Sequence, residues 1–245
     1  MQALMRPEPA PADITVWRLA VGRVRAEDWL ALTSAEQDRA RRFHRDADRA
    51  RYVGARAGLR RLLALRLNLP AARVPLLAGQ HGKPALAEPL GAHCHFNLSH
   101  AGHYALVVMS DRREVGVDVE CEQDTGDLEP LADYALLPAE RTGWRGLPQA
   151  AAFLRRWTGK EAALKAWGVG IAQHLLQVQV HPGRHVGGIT VQASCADWPL
   201  CEACELAMPA GYVAALAWLP AAGDPEDRAG APSPSRAQRA PGIQP

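Results

Sequence analysis

Three acidic side chains and one lysine, drawn from two distant segments, are the residues most able to do chemistry. Asp118 and Glu120 lie two apart in VGVDVE (residues 115–120), an apolar alternating run with strand character. Their carboxylates therefore leave the strand on one side, about 7 Å apart along the backbone, while Val117 and Val119 face the other way. Two such carboxylates repel unless a cation sits between them. An all-oxygen set with open positions selects Mg²⁺, or Mn²⁺, over zinc. Downstream, FLRRWTGKEAALKAWGVGI (residues 153–171) reads as one amphipathic helix that Gly168 and Gly170 stop. Trp157, Glu161 and Lys165 recur at i, i+4 and i+8, so they share one face. Glu161 is the third candidate metal ligand. Lys165, one turn further on, is placed to reach a phosphate oxygen of a metal-bound diphosphate. Taken singly, each feature is ordinary: acidic outer positions on a strand, and an i,i+4 Glu–Lys pair of small energetic value.

The use of lysine sharpens this reading. Of 28 basic Lys and Arg side chains, only Lys83, Lys160 and Lys165 are lysines, and two of the three flank Glu161. Lysine is a compact point charge suited to phosphate. Lys83 lies in the turn QHGKP (80–84). Ser99 and His100 fall in NLSHAG (97–102), expected as a turn whose N–H groups can take an anion. Other chemistries lack their residues. Cys201 and Cys204 form a CxxC without a second one or an HxxxH, and there is no P-loop, GxGxxG or G-x-S-x-G.

The elements that must position these groups follow from pattern. At 245 residues, 48% hydrophobic and 22% charged, the chain has the composition of a soluble globular protein. A net charge of +2 implies neither nucleic acid nor membrane as partner. The start MQALMRPEPAPADI has no apolar signal core. Five scattered cysteines fit reduced thiols, so a cytoplasmic location is expected. Residues 14–21 read as a strand, Thr33 to Glu36 as a cap, and 39–69 as an Arg-rich helix ended by Pro70. Strands are expected over 94–98, 104–109 and 115–120, with a hairpin turn at 110–113 joining the last two. A loop with short helices covers 124–146. Strands follow the central helix over 175–180, 188–192 and 212–219. The chain thus divides into an N-terminal half (1–112), a C-terminal half (113–220) and a disordered tail (221–245).

Together, HGKP (81–84), FNLSH (96–100), GVDVE (116–120) and WTGKEAALKAWGVGI (157–171), with RRFHRDADRARYVGAR (41–56) ahead of them, resemble the 4′-phosphopantetheinyl transferases of the larger, monomeric type. The ordered combination is specific and spans residues 14–220. The resemblance implies an α/β (α+β) monomer of two similar halves related by a pseudo-twofold, with the active site between them. It implies transfer of the 4′-phosphopantetheine arm of coenzyme A to a serine of an apo carrier protein, releasing adenosine 3′,5′-bisphosphate. By residue, it implies Mg²⁺ at Asp118, Glu120 and Glu161, with Glu161 helping to deprotonate the serine. Lys165 would lie on the diphosphate, Arg51, Lys83, Ser99 and His100 on the coenzyme A phosphates, and Lys160 at the periphery. Glu36 stands where the family can carry a lysine, leaving Arg39 or Arg41 to replace that contact. A catalytically silent carrier-binding module is the alternative, and the complete Asp118, Glu120, Glu161 and Lys165 set argues against it.

Overall fold

The computed structural model describes residues 1–79, 82–124, 128–142, 149–183 and 187–221. The expected tail lies, from residue 222 onward, outside the described residues. The elements in order are β1 (Gln2–Ala3), β2 (Thr15–Ala20), α1 (Ala26–Leu30), α2 (Ser34–Arg41), α3 (Asp46–Leu67), β3 (Leu76–Ala78), β4 (Pro84–Leu86), β5 (His95–Ala101) and β6 (Tyr104–Ser110). They continue with β7 (Val115–Cys121), α4 (Leu128–Ala135), α5 (Gln149–Trp167), α6 (Ile171–His174), β8 (Val178–Pro182), β9 (Gly188–Ala193), β10 (Glu202–Glu205) and β11 (Tyr212–Trp218).

Two antiparallel sheets carry the molecule, ordered β1-β2-β6-β5 and β7-β11-β10-β9-β8, with β3 and β4 as a separate small hairpin. Apart from the two-residue β1, each half runs strand, long helix, then returning strands, and in each the strand before the helix pairs with the last: β2 with β6, β7 with β11. This repeated connection is the pseudo-twofold that the sequence implied. The turn at 110–113 is not the expected hairpin. It carries the chain from one sheet to the other, because β7 hydrogen-bonds to β11. The same physical pattern, buried apolar residues on both strands, suits a hairpin and a sheet-to-sheet crossing equally well.

Close packing of each long helix on its sheet explains several small residues. A Cβ at Gly58 of α3 would meet Leu19 Cδ1 at 2.3 Å, so glycine lets α3 approach β2. A Cβ at Gly116 of β7 would meet the Ala162 carbonyl of α5 at 2.0 Å. The alanines at 162, 163 and 166 and Leu164, all buried, form the other side of that contact. The Arg-rich stretch is two helices. A Thr33–Glu36 capping box opens α2, with the Glu36 N–H donating to Thr33 and the Thr33 N–H donating to Glu36 Oε2 at 2.9 Å. The chain breaks over 42–45, where Phe43 folds back on Tyr52 at 5.3 Å, and α3 ends on the left-handed Asn68 (φ 52°) before Pro70.

The two sheets meet edge to edge at β5 and β7. The Val117 N–H donates to Asn97 Oδ1 (3.2 Å) and the Val119 N–H to Ser99 Oγ (3.4 Å). Side chains of β5 thus satisfy backbone donors on the free edge of β7. Tyr212 adds a third tie, accepting the His103 N–H at 3.0 Å.

Two buried acidic side chains, Glu36 and Glu140, lock the outer elements through ion pairs. Glu36 accepts from Arg56 (2.5 Å) and Arg60 (2.6 Å), fastening α2 to α3. Lys160 and Glu140 are both fully buried at 2.7 Å, and Lys160 also donates to the carbonyls of Ala135 (2.6 Å) and Leu175 (3.0 Å). Glu140 in turn accepts the N–H groups of Leu137 and Val180. Lys160 therefore ties α4, α5 and β8 together inside the core, whereas the resemblance implied a place at the periphery of the diphosphate. Removing one partner strands the other charge in the core. Lys160→Met should lower unfolding free energy by ~3–5 kcal/mol in urea titration. A loss below ~1 kcal/mol would mean the pair contributes little.

Candidate active site

The site forms where β7, β5 and α5 come together. Asp118 is 1% exposed, and its Oδ1 accepts from Lys165 Nζ (2.6 Å) and from Ser99 Oγ (2.8 Å). Lys165 also pairs with Glu161 Oε2 at 3.2 Å. Glu120 Oε1 accepts the indole N–H of Trp157 at 3.3 Å. The i, i+4, i+8 stripe of α5 thus lies against the acidic face of β7, as the spacing predicts: Trp157 on Glu120, Glu161 and Lys165 beside Asp118.

Electrostatics follow from crowding like charges out of water. Burial first, and then the charge of Asp118, push Glu161 up to about 8 against the pull of Lys165. Burial opposes the Lys165 charge, but Asp118 and Glu161 outweigh it and hold the ammonium above the ordinary lysine range. Lys165 supplies the positive charge that this pair of carboxylates demands. Asp118 Oδ2 is buried and has no hydrogen-bond partner. Among the described residues, no group of three His, Cys, Asp or Glu side chains is spaced to hold a metal ion as they stand. An orphaned carboxylate oxygen beside a carboxyl driven toward protonation nevertheless fits a divalent cation with oxygen ligands.

These groups line a cleft of about 460 Å³ together with Arg39, Tyr52, Arg56, Leu77, Gly82, Pro84, Ser99 and His100. A second cavity of about 440 Å³ adjoins it, sharing Gly82, Pro84, Leu98 and Lys165 and walled by Gly168 to Gln173. His100 lies on the cleft wall. Partial removal from water, with Arg51 and Lys165 nearby, pushes its imidazole below the usual range. Ser99 and His100 lie inside β5, paired with Leu106 and Ala105, not in the expected anion-binding turn. The strand is longer than its apolar run because Ser99 turns its hydroxyl to β7. Arg51 pairs with Asp48 at 3.6 Å and lies near His100. Lys83 donates to Glu114 (3.2 Å) and to the Lys165 carbonyl (3.0 Å).

Matches to known proteins agree with this arrangement. The family described as 4′-phosphopantetheinyl transferase superfamily matches residues 114–217, and its N-terminal counterpart, 4′-phosphopantetheinyl transferase, N-terminal, matches residues 25–112. The chain is 36% identical over 168 residues to the 4′-phosphopantetheinyl transferase HetI of Nostoc sp., covering 66% of this chain and 71% of that protein. The chain belongs to the 4′-phosphopantetheinyl transferase superfamily. It is also 39% identical over 129 residues to AcpT of Salmonella typhimurium, covering 49% of this chain and 66% of AcpT. To the human L-aminoadipate-semialdehyde dehydrogenase-phosphopantetheinyl transferase it is 29% identical over 172 residues, covering 63% and 55%. Membership makes the chain a transferase acting with coenzyme A on a carrier protein. Among the described residues, no helix is long and apolar enough to cross a membrane.

Of the two arginines that the sequence left open, Arg39 lines the cleft, and Arg56, which carried no sequence signal, joins it. Arg39 stacks over Tyr52 at 5.3 Å on the cleft wall, whereas Arg41 pairs with exposed Asp38 at 2.7 Å and packs toward Trp29. Arg56 reaches the wall beside its Glu36 partner. Arg56 was hidden among the many arginines of α2 and α3. Cys201 and Cys204, the CxxC, are buried on and beside β10. Burial pushes both thiols up, that of Cys204 to about 12, so they are inert core residues.

The raised Glu161 pKa has a stability consequence with a definite sign. Its folded value, about 8, exceeds the ordinary glutamate value of 4.5, so the folded state keeps a proton that the unfolded chain has lost. The associated stability is complete below the unfolded value and disappears as pH rises through about 8. Without divalent cations, wild-type stability to urea should fall across that window, and Glu161→Gln should flatten the fall. An equal slope in both proteins would contradict the electrostatic description.

Proposed function

We propose that Asp118, Glu120 and Glu161 hold a magnesium ion in this cleft, and that Lys165 with Arg39, Arg51 and His100 receives the phosphates of coenzyme A. The observation that carries the reading is the meeting of the β7 acidic pair with the Glu161–Lys165 face of α5 in one cleft. The reaction joins the hydroxyl oxygen of a carrier serine to the pantetheine-bearing phosphorus. The bridging P–O bond breaks, and adenosine 3′,5′-bisphosphate leaves. Bound magnesium would neutralise the diphosphate and the charge developing on the leaving phosphate.

The chain's own groups do the rest. Lys165 offers a second positive charge, held in place by Asp118 and Ser99. It steadies phosphate oxygens in line with the entering serine. Glu161, as the carboxylate that a bound cation would favour, accepts the proton that the serine gives up. Trp157 orients Glu120 through its indole N–H. Arg39, held over Tyr52, takes up the contact that Glu36 cannot make. Glu36 itself is engaged in binding Arg56 and Arg60. Both halves of the cleft come from one chain, which supports action as a monomer. The cysteines, all free and four of them buried, support a cytoplasmic setting.

The test is transfer of a fluorescent coenzyme A analogue to a panel of apo acyl and peptidyl carriers. At least one should be labelled with Mg²⁺ and none after chelation. Carrier binding without labelling would leave only a binding module. Asp118→Ala and Glu161→Ala should each cut kcat/KM by about 10²–10³-fold or more with unchanged circular dichroism. Arg39→Ala should raise the KM for coenzyme A by about tenfold while kcat stays near wild type. Near-normal turnover in Glu161→Ala would remove the metal assignment.

A further inference from the structure

Lys83 lies just past the turn that closes β3 and β4, where the Gly79 N–H donates to its carbonyl at 2.8 Å. That hairpin is small. Each strand has three residues, and the pair forms a sheet of its own. Two-stranded ribbons of this size do not hold themselves in water and need an outside anchor. Yet Leu77, Ala78, Gly82 and Pro84 form one wall of the cleft, and Gly82 and Pro84 also border the adjoining cavity. The wall is therefore only as firm as whatever fastens the hairpin.

Leu86, buried in the core cluster with Leu59 and Leu63, and partly buried Leu76 anchor the base of the hairpin. At its other end, beside the cleft, the fastening runs through Lys83. Of its three ammonium donors, one goes to the Lys165 carbonyl in the last turn of α5 (3.0 Å) and one to Glu114 Oε2 (3.2 Å). A cation at a helix C-terminus also complements the helix dipole. The other oxygen of Glu114 meets His95 Nδ1 at 2.8 Å, which fixes the carboxylate's direction. Burial opposes the Glu114 charge, but His95 and Lys83 outweigh it and hold this carboxyl below the ordinary range. Glu114 stands immediately before β7, at the joint between the two sheets. One side chain thus links the hairpin, the joint and the end of the helix that carries Glu161 and Lys165.

We propose that Glu114 is a positioning residue for coenzyme A binding, latching Lys83, and with it the β3–β4 hairpin, onto the C-terminal end of α5. This rests on the reading that the cleft takes coenzyme A, and it gives Lys83 a different task from the phosphate contact that the sequence suggested. The sign of one effect separates the alternatives. A carboxylate beside an anion site repels the anion, so as a mere electrostatic neighbour its removal strengthens coenzyme A binding. As a latch, its removal loosens the wall and weakens binding.

The test uses the full chain with Glu114→Ala, the isosteric Glu114→Gln, Lys83→Ala and the Lys83→Ala/Glu114→Ala double variant. Amide hydrogen exchange of residues 76–86 is measured without coenzyme A, and KM and kcat are measured with it. Glu114→Ala should speed exchange across the hairpin. It should raise the KM for coenzyme A about two- to fivefold, the size expected of a partly exposed ion pair, with kcat within about twofold of wild type. Glu114→Gln should act in the same direction. The double variant should match Lys83→Ala alone, because both changes release one latch. A lower or unchanged KM in both Glu114 variants, unchanged hairpin exchange, or additive losses in the double variant would each overturn the proposal. The exchange arm needs no substrate, so it judges the latch separately. A wild-type protein that binds no coenzyme A would count against the functional reading and leave the exchange result standing.

Discussion

Like charges held close together in a place with little water govern this molecule. Asp118 is almost completely buried, Glu161 sits beside it, and Glu120 is the next residue outward on the same strand face. Such a cluster costs free energy in any fold unless positive charge is brought in. Lys165 supplies part of it. The upward push on Glu161 and the orphaned Asp118 oxygen show that part of the demand is left over. A protein that keeps this arrangement keeps a standing affinity for a further cation. The divalent cation proposed above would answer it. Stability and function pull against each other at these residues, and the rest of the fold holds them together.

What holds them is mainly the absence of side chains. Gly116 lets the backbone of β7 come against the backbone of α5, and the alanines at 162, 163 and 166 give the same closeness from the helix side. A larger residue at 116 would push the strand from the helix and separate Asp118 from Glu161. The opposite flank of β7 is held by polar side chains, where Asn97 and Ser99 complete the backbone hydrogen bonds that an edge strand would otherwise leave to water. Ser99 then joins three groups, accepting from the Val119 N–H and Lys165 and donating to the Asp118 carboxylate. The joint between the halves and the orientation of the acidic set are therefore one structural feature.

The sequence revealed those parts of this arrangement that depend on local periodicity. Two carboxylates at i and i+2 on a strand, and a carboxylate and a lysine at i and i+4 on a helix, state their own facing directions, and the structure brings those faces together. The Thr33–Glu36 cap was readable for the same reason. What could not be read depends on which strand pairs with which. The crossing at 110–113 looked like a hairpin because both flanking strands are apolar whichever sheet they join. β10 was invisible because its four residues, Glu-Ala-Cys-Glu, carry no alternation of apolar and polar side chains. Ser99 and His100 looked like a turn because polar residues end an apolar run, whereas here Ser99 bonds to β7 and His100 lines the cleft. Arg39 and Arg56 could not be singled out from their neighbours by type, since their distinction lies only in which side of α2 and α3 meets the cleft.

The three lysines show how one residue type resolves into separate tasks once the geometry is known. Each is held by at least one main-chain carbonyl or hydroxyl together with a carboxylate, a mixture that a small ammonium with three freely directed donors satisfies more readily than a planar guanidinium. Lys160 uses all three donors inside the core, on Ala135, Leu175 and Glu140. Lys165 divides its donors between Asp118, Glu161 and Ser99 at the cleft. Lys83 bridges a helix end and a joint. The paired arginines, by contrast, mostly reach single carboxylates on neighbouring turns or elements, as with Arg61 on Asp28 and Arg155 on Glu205. The rarity of lysine is thus explained position by position. A compact donor that must serve a carboxylate and a carbonyl or hydroxyl at once is needed at three places.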